Sequence, residues 1–161
     1  MSSSRRGAGF WIGAWLPVAI GIGVIAIEST SFLGSDHTSG PLRAIYEAIF
    51  GAVNDARWDS IHHYIRKCGH FIGYGTLGVL WLRAWWMTLS LRALEFWRSA
   101  VLGFVGTALV ASCDEWHQTF LPNRTGTPWD VLLDSCGAAA AILLIYGFAK
   151  LCKPEKLKRA A

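Results

Sequence analysis

The chain has 161 residues, room for one domain and little more. Hydrophobic residues make up 53% of it and charged residues 16%, where a soluble domain carries about 25% charged, and nine tryptophans exceed what a small soluble core houses. The net charge of +4 does not point to nucleic acid, because the basic residues collect at the ends of apolar stretches, where they act as insertion signals. DNA and RNA are thereby excluded as partners, and membrane lipids are the expected surroundings.

In chain order, an uncharged apolar stretch runs from Phe10 to Ile27, after Arg5 and Arg6, and at 1.5 Å per residue nearly crosses a ~30 Å hydrocarbon core. It is long for the apolar region of a signal peptide, and no A-x-A-like cleavage site follows, so it is expected to stay as a first span. A second stretch covers Cys68 to Met87, broken by Arg83; a third covers Ser99 to Cys113, ending at Asp114 and Glu115; a fourth covers Val131 to Leu151, interrupted only by Asp134. The expected fold is all-α, a polytopic membrane protein of four transmembrane helices. A cytoplasmic tail over residues 1–9, a transmembrane domain over 10–150 and a basic tail over 151–161 divide the chain.

Between the first and second spans, Pro41 is expected to open a helix. Leu42, Ile45, Tyr46, Ile49, Phe50 and Val53 then form an apolar stripe, with Arg43 and Glu47 paired i,i+4 on another face. The pattern fits a helix lying in the outer membrane interface or, equally, a short helix packed on the spans.

Orientation follows from the basic residues. With the N-terminus inside, Arg5, Arg6, Arg83, Arg92, Arg98, Lys150, Lys153, Lys156, Lys158 and Arg159 face the cytoplasm with Glu95 and Glu155, a balance of +8. Arg43, Arg57, Arg66, Lys67 and Arg124 lie outside with nine acids, a balance of −4. Trp11, Trp15, Trp81, Trp85, Trp86 and Trp97 fall at inner ends and Trp116 and Trp129 at outer ends, as two aromatic belts. Both termini are expected in the cytoplasm and the protein in the inner membrane.

The chemistry-bearing residues gather at outer helix ends. Lys67, His70 and Tyr74, at i, i+3 and i+7, present a cation, an imidazole and a phenol on one helix face. Asp114 and Glu115 close the third stretch, each within reach of Gln118; the following loop adds Pro122 and Arg124, and the fourth stretch opens with Asp130 and Asp134 at i,i+4. Charged groups at this depth normally face inward and pair, and Lys67, His70 and Arg124 are the available partners. A purely structural use as interhelical glue is the competing explanation, but such bonds average only about 0.6 kcal/mol, a weak reason for so many ionisable groups. Cys68, Cys113, Cys136 and Cys152 form no CxxC pair and read as small apolar helix residues, so no structural zinc is expected.

These motifs resemble those of the VanZ-like membrane proteins, associated with low-level resistance to the glycopeptide teicoplanin. The family pattern K-x-x-H-x-x-x-Y, then D-E-x-x-Q-x-F-x-P-x-R, then D-x-x-x-N-x-x-G is met by Lys67, His70 and Tyr74, by Asp114, Glu115, Gln118, Phe120, Pro122 and Arg124, and by Asp130, Asp134 and Gly137. Asp134 departs from it, standing where the pattern has Asn. The resemblance implies an envelope protein whose outward cluster engages a cell-wall precursor, a lipid headgroup or a glycopeptide, with Lys67 and Arg124 holding an anion. A membrane-embedded hydrolase or transferase is the alternative, with Asp114 or Glu115 as base, His70 as acid or base and Arg124 stabilising charge. No cofactor is expected. Metal ligation by His70, Asp114, Glu115 and Asp130 lacks any H-E-x-x-H-like spacing and is the lesser alternative. Without a repeat or a charge near mid-membrane, a channel or transporter is not expected.

Overall fold

The computed structural model describes residues 6–89, 93–121 and 124–152, and every helix in it is α apart from a single 3-10 turn at Ser31–Leu33. Arg5, Arg92, Pro122, Lys153, Glu155, Lys156, Lys158 and Arg159 lie outside the described residues, as does the side chain of Glu95.

Helix α1, Ala8–Glu28, presents Ile12, Leu16, Ile20, Val24 and Ile27 outward and turns Ala14, Val18 and Ile25 into the bundle. Helix α2, Ser35–Phe50, ends at Gly51, whose φ of 86° belongs to the left-handed region that glycine enters without strain. Pro41 sits inside α2 rather than opening it. The helix starts earlier because the backbone N–H groups of His37 and Thr38 and the Thr38 hydroxyl all donate to the Gly34 carbonyl, and Pro41 forfeits only one intrahelical bond. Val53, expected on the same stripe, falls beyond the helix end.

Helix α3, Asp55–Leu89, has 35 residues and so is about 52 Å long, well beyond a ~30 Å hydrocarbon core. The Asn54 side chain caps it by accepting from the Arg57 N–H at 2.9 Å. The stretch from Cys68 to Met87 is its second part, and the preceding polar turns carry α2: Trp58 Nε1 donates to Ser39 Oγ at 2.7 Å, and Arg43 joins Glu47 at 2.9 Å and Asp55 at 2.7 Å. Tyr46 packs beside Trp58 and carries Phe50 against its ring at 4.9 Å, and Ile45, Ile49 and Phe50 stay exposed.

Helix α4, Ala93–Gln118, and helix α5, Pro128–Leu151, complete the bundle; Thr127 caps α5, its hydroxyl accepting from the Asp130 N–H, with Pro128 at the first helical position. Helices α1 and α4 run one way, α3 and α5 the other, with α3 packed against the other three. Arg6 donates to the carbonyls of Met87 and Thr88, and Arg83 to that of Gly13, fixing the start of α1 against the end of α3. Trp15, Trp81 and Trp85 pack edge-on or stacked at the same end, so these rings join helices together, whereas Trp11, Trp97, Trp116 and Trp129 are exposed as a belt would place them.

Large apolar side chains face outward along α1, α4 and α5, the reverse of a soluble bundle, and the chain is a membrane protein in contact with lipid. Among the described residues three helices, Ala8–Glu28, Phe96–Gln118 and Pro128–Leu151, are long and apolar enough to cross a membrane. The fourth expected span falls in α3, whose apolar half is diluted by His70, Tyr74, Arg83 and four glycines.

Small residues let α3 and α5 approach closely. A Cβ on Gly137 would lie 2.3 Å from the Phe71 carbonyl oxygen, and one on Gly78 would lie 2.9 Å from Ala138 Cβ. Gly137→Ala is therefore expected to destabilise the protein by about 1–3 kcal/mol through overpacking. Gly13→Ala, with nothing within 4 Å, is expected to be neutral or mildly stabilising; detergent melting curves of the two variants check the contrast.

Candidate functional site

The polar residues collect where α1 and α4 end, α5 begins and the middle of α3 passes. Helix periodicity puts Lys67, His70 and Tyr74 one turn apart on the inward face of α3, and each finds a different acid. Lys67 Nζ forms a salt bridge with Asp130 Oδ1. His70 Nδ1 faces Asp134 Oδ1 at 3.6 Å, and Tyr74 donates its hydroxyl to Asp114 Oδ2 at 2.9 Å. The cation lies nearest the helix start and the phenol deepest, so α3 is joined to α5 twice and to α4 once.

The α4 acids are tied further. Gln118 Nε2 donates to Asp114 Oδ2 at 3.1 Å and, more weakly, to Glu115 Oε1 at 3.4 Å, the contacts that i,i+4 and i,i+3 spacing allows. Glu115 Oε2 accepts from the Thr127 N–H at 2.9 Å. That bond requires the loop to lie flat on α4, and Gly126 permits it: a Cβ there would be 1.9 Å from the Glu115 carbonyl oxygen. Asp114, Glu115, Gln118 and Asp134 are all buried, and Asp134 is 0% exposed with neither carboxylate oxygen hydrogen-bonded.

Arg124 does not pair with an acid as expected. Its Nη2 donates to the carbonyls of Glu28 at 2.8 Å and Thr30 at 3.0 Å, answering the orphan carbonyls and negative dipole end of α1. The sequence offers no signal for this, because α1 ends 96 residues before Arg124. Asp130 is absorbed by Lys67, which leaves Asp114, Glu115 and Asp134 without a Lys or Arg partner among the described residues.

Above this cluster is a cavity of about 330 Å³, lined in part by Lys67, His70, Glu115, Gln118, Arg124 and Asp130. Tyr74, Asp114 and Asp134 stand beneath it, outside its lining. Asp59, His62, His63 and Arg66 line it too, and none of them was expected. They recur on the α3 face that carries His70, at residues 59, 62, 66 and 70, so the same periodicity extended toward the N-terminus exposes them. A second cavity of about 550 Å³ shares Arg66, His70 and Arg124 and is walled by Leu42, Ile72 and Gly73 on its apolar side. Arg66 makes no hydrogen bond or salt bridge with the described residues. Burial, and after it the like charge of Arg124, lowers its pKa from the ordinary arginine value, against a smaller opposing pull from Asp36. Cys68, Cys113, Cys136 and Cys152 are free and exposed, away from these cavities.

A family model described as VanZ/LLP1 matches residues 12–150, most of the chain, and the protein belongs to that family. No curated protein and no solved structure gives a significant match.

The Tyr74 to Asp114 bond is a clean probe of the cluster, since Phe keeps the ring and removes only the donor. Tyr74→Phe is expected to cost about 1–2 kcal/mol, between an average membrane interhelical bond and a bond to a charged acceptor, and chemical or thermal unfolding in detergent measures it.

Proposed function

We propose that this VanZ/LLP1-family protein binds the acidic head of an envelope amphiphile, a phosphate-bearing lipid or lipid-linked cell-wall precursor, at the outer face of the inner membrane. The observation that carries this reading is the pair Arg66 and Arg124 at the junction of a polar cavity and an apolar-walled one. Two guanidinium groups held close, neither with an ion-pair partner among the described residues, favour an anion between them, and a guanidinium fork matches phosphate oxygens bidentately. Leu42 and Ile72 then offer a wall for the start of an acyl or prenyl chain.

In this reading α3 supplies the fourth span, entering lipid near Cys68 with its first turns standing outside, and both termini are cytoplasmic, as the distribution of Lys and Arg favours. Helix α2 lies in the outer interface with Ile45, Ile49 and Phe50 toward lipid. A polar cavity of about 330 Å³ suits a headgroup better than a whole glycopeptide antibiotic, so any effect on teicoplanin-type susceptibility would come through the precursor.

Arg66→Gln is expected to weaken retention of an anionic phospholipid by roughly 10- to 100-fold, the equivalent of one lost hydrogen bond to a charged group. Native mass spectrometry of nanodiscs containing phosphatidylglycerol or phosphatidylcholine measures it. Equal retention of the two lipids by the wild-type protein would sink the reading. A reporter active only in the periplasm, fused after Ala161, is expected to be silent; activity there would reverse the orientation and put the cavity on the cytoplasmic face.

A further inference from the structure

We infer that His70, Asp114 and Glu115, with Asp134, form a binding site for one divalent transition-metal cation of the Zn²⁺ or Mn²⁺ class, beneath the anion cavity and independent of any lipid bound there. One ring nitrogen of His70 and one carboxylate oxygen each from Asp114 and Glu115 lie within 4.8 Å of one another. Donors held at ~2.1 Å from a tetrahedral metal are ~3.4 Å apart, so small side-chain rotations close the remaining distance.

Three acids drawn together do not by themselves make a site, and the independent observation here is Asp134. Its side chain is 0% exposed, faces His70 Nδ1 at 3.6 Å as the one basic partner within reach, and accepts no hydrogen bond on either oxygen among the described residues. A buried carboxylate in that condition is normally paired or coordinates a metal. Beside His70 it either completes the ligand set or orients the imidazole as carboxylates do around metal-bound histidines, and both uses hold the same ion.

Charge balance points the same way. Asp114, Glu115 and Asp134 face one imidazole and one phenol, while Lys67 is engaged by Asp130 and Arg124 by the end of α1. A divalent cation supplies the compensation that the lysines and arginines do not. Spare ligand capacity is present, since the bonds to Asp114 fall on Oδ2 alone. An entry path exists as well, because His70 and Glu115 line the outward cavity of about 330 Å³. The imidazole favours Zn²⁺ over Mg²⁺ and Ca²⁺, which prefer oxygen ligands, and the carboxylates suit Mn²⁺ as well.

The test uses the full chain in nanodiscs of neutral phosphatidylcholine, stripped with EDTA and titrated separately with Zn²⁺, Mn²⁺ and Mg²⁺. Omitting anionic lipid keeps the outcome separate from the lipid-binding proposal: lost lipid retention in Arg66→Gln says nothing about the ion, and absent ion binding leaves the lipid result standing. The expected result is saturation at one Zn²⁺ or Mn²⁺ per chain. Asp114→Asn and Glu115→Gln should each weaken it at least about tenfold. No saturable binding, equal binding of Mg²⁺, or unchanged affinity in both variants overturns the site. Should both variants fail to fold, the wild-type protein decides alone. Pulsed electron paramagnetic resonance of the Mn²⁺ form should show coupling to a single imidazole nitrogen, and a spectrum with no nitrogen coupling overturns the assignment.

Discussion

A charged group at the level of the lipid chains persists only where another group answers it, and the inward face of α3 is where most of these answers are made. Lys67 meets Asp130, His70 meets Asp134 and Tyr74 meets Asp114, three successive turns reaching two other helices. Much else follows from that face. The close approach of α3 and α5 needs Gly78 and Gly137, because a longer separation would pull His70 from Asp134 and Lys67 from Asp130. The flat loop at Gly126 is needed for Thr127 to reach Glu115. Arg124 then ties that loop to the end of α1, so the one helix that α3 does not join through this face is drawn to the same level.

Helix α3 also explains why the cavity is where it is. A helix of ordinary span length beginning at Cys68 would leave Lys67 at its tip, with nothing above to form a wall. At about 52 Å α3 carries Asp59, His62 and Arg66 out beyond the helix ends around it, and α2 folds against this projection through Trp58 and Arg43. The cavity is therefore bounded by projecting α3 on one side and by the end of α4, the loop after it and the start of α5 on the other.

How much of this the sequence revealed depends on whether the signal was periodic. The lengths and apolar character of α1, α4 and α5 were legible from uncharged runs, and the shared faces of Lys67, His70 and Tyr74 and of Asp114, Glu115 and Gln118 from helical spacing. The polar turns of α3 were not, since Asp55 to Lys67 has neither an apolar run nor a strong stop, and helical turns beyond an apolar run look like a loop when apolar length is the guide. Pro41 misled for a local reason: proline favours a first turn but is tolerated in a second, and Gly34 had already supplied the carbonyl that starts α2. Lys67 found an acid as expected, but Arg124 did not, because its contact with a helix end 96 residues away depends on tertiary distance, of which spacing carries no trace.

The charges that no Lys–acid or Arg–acid pair absorbs among the described residues are sorted by height. Arg66 and Arg124 crowd two cations at the mouth, and Asp114, Glu115 and Asp134 crowd three acids beneath them, yet the two groups do not meet. Asp134 sharpens the point. It is fully buried, faces His70 Nδ1 at 3.6 Å, and accepts no hydrogen bond among the described residues. Keeping the carboxylate makes physical sense where something cationic, absent from the chain itself, occupies the space that Asp134 and its two neighbouring acids enclose.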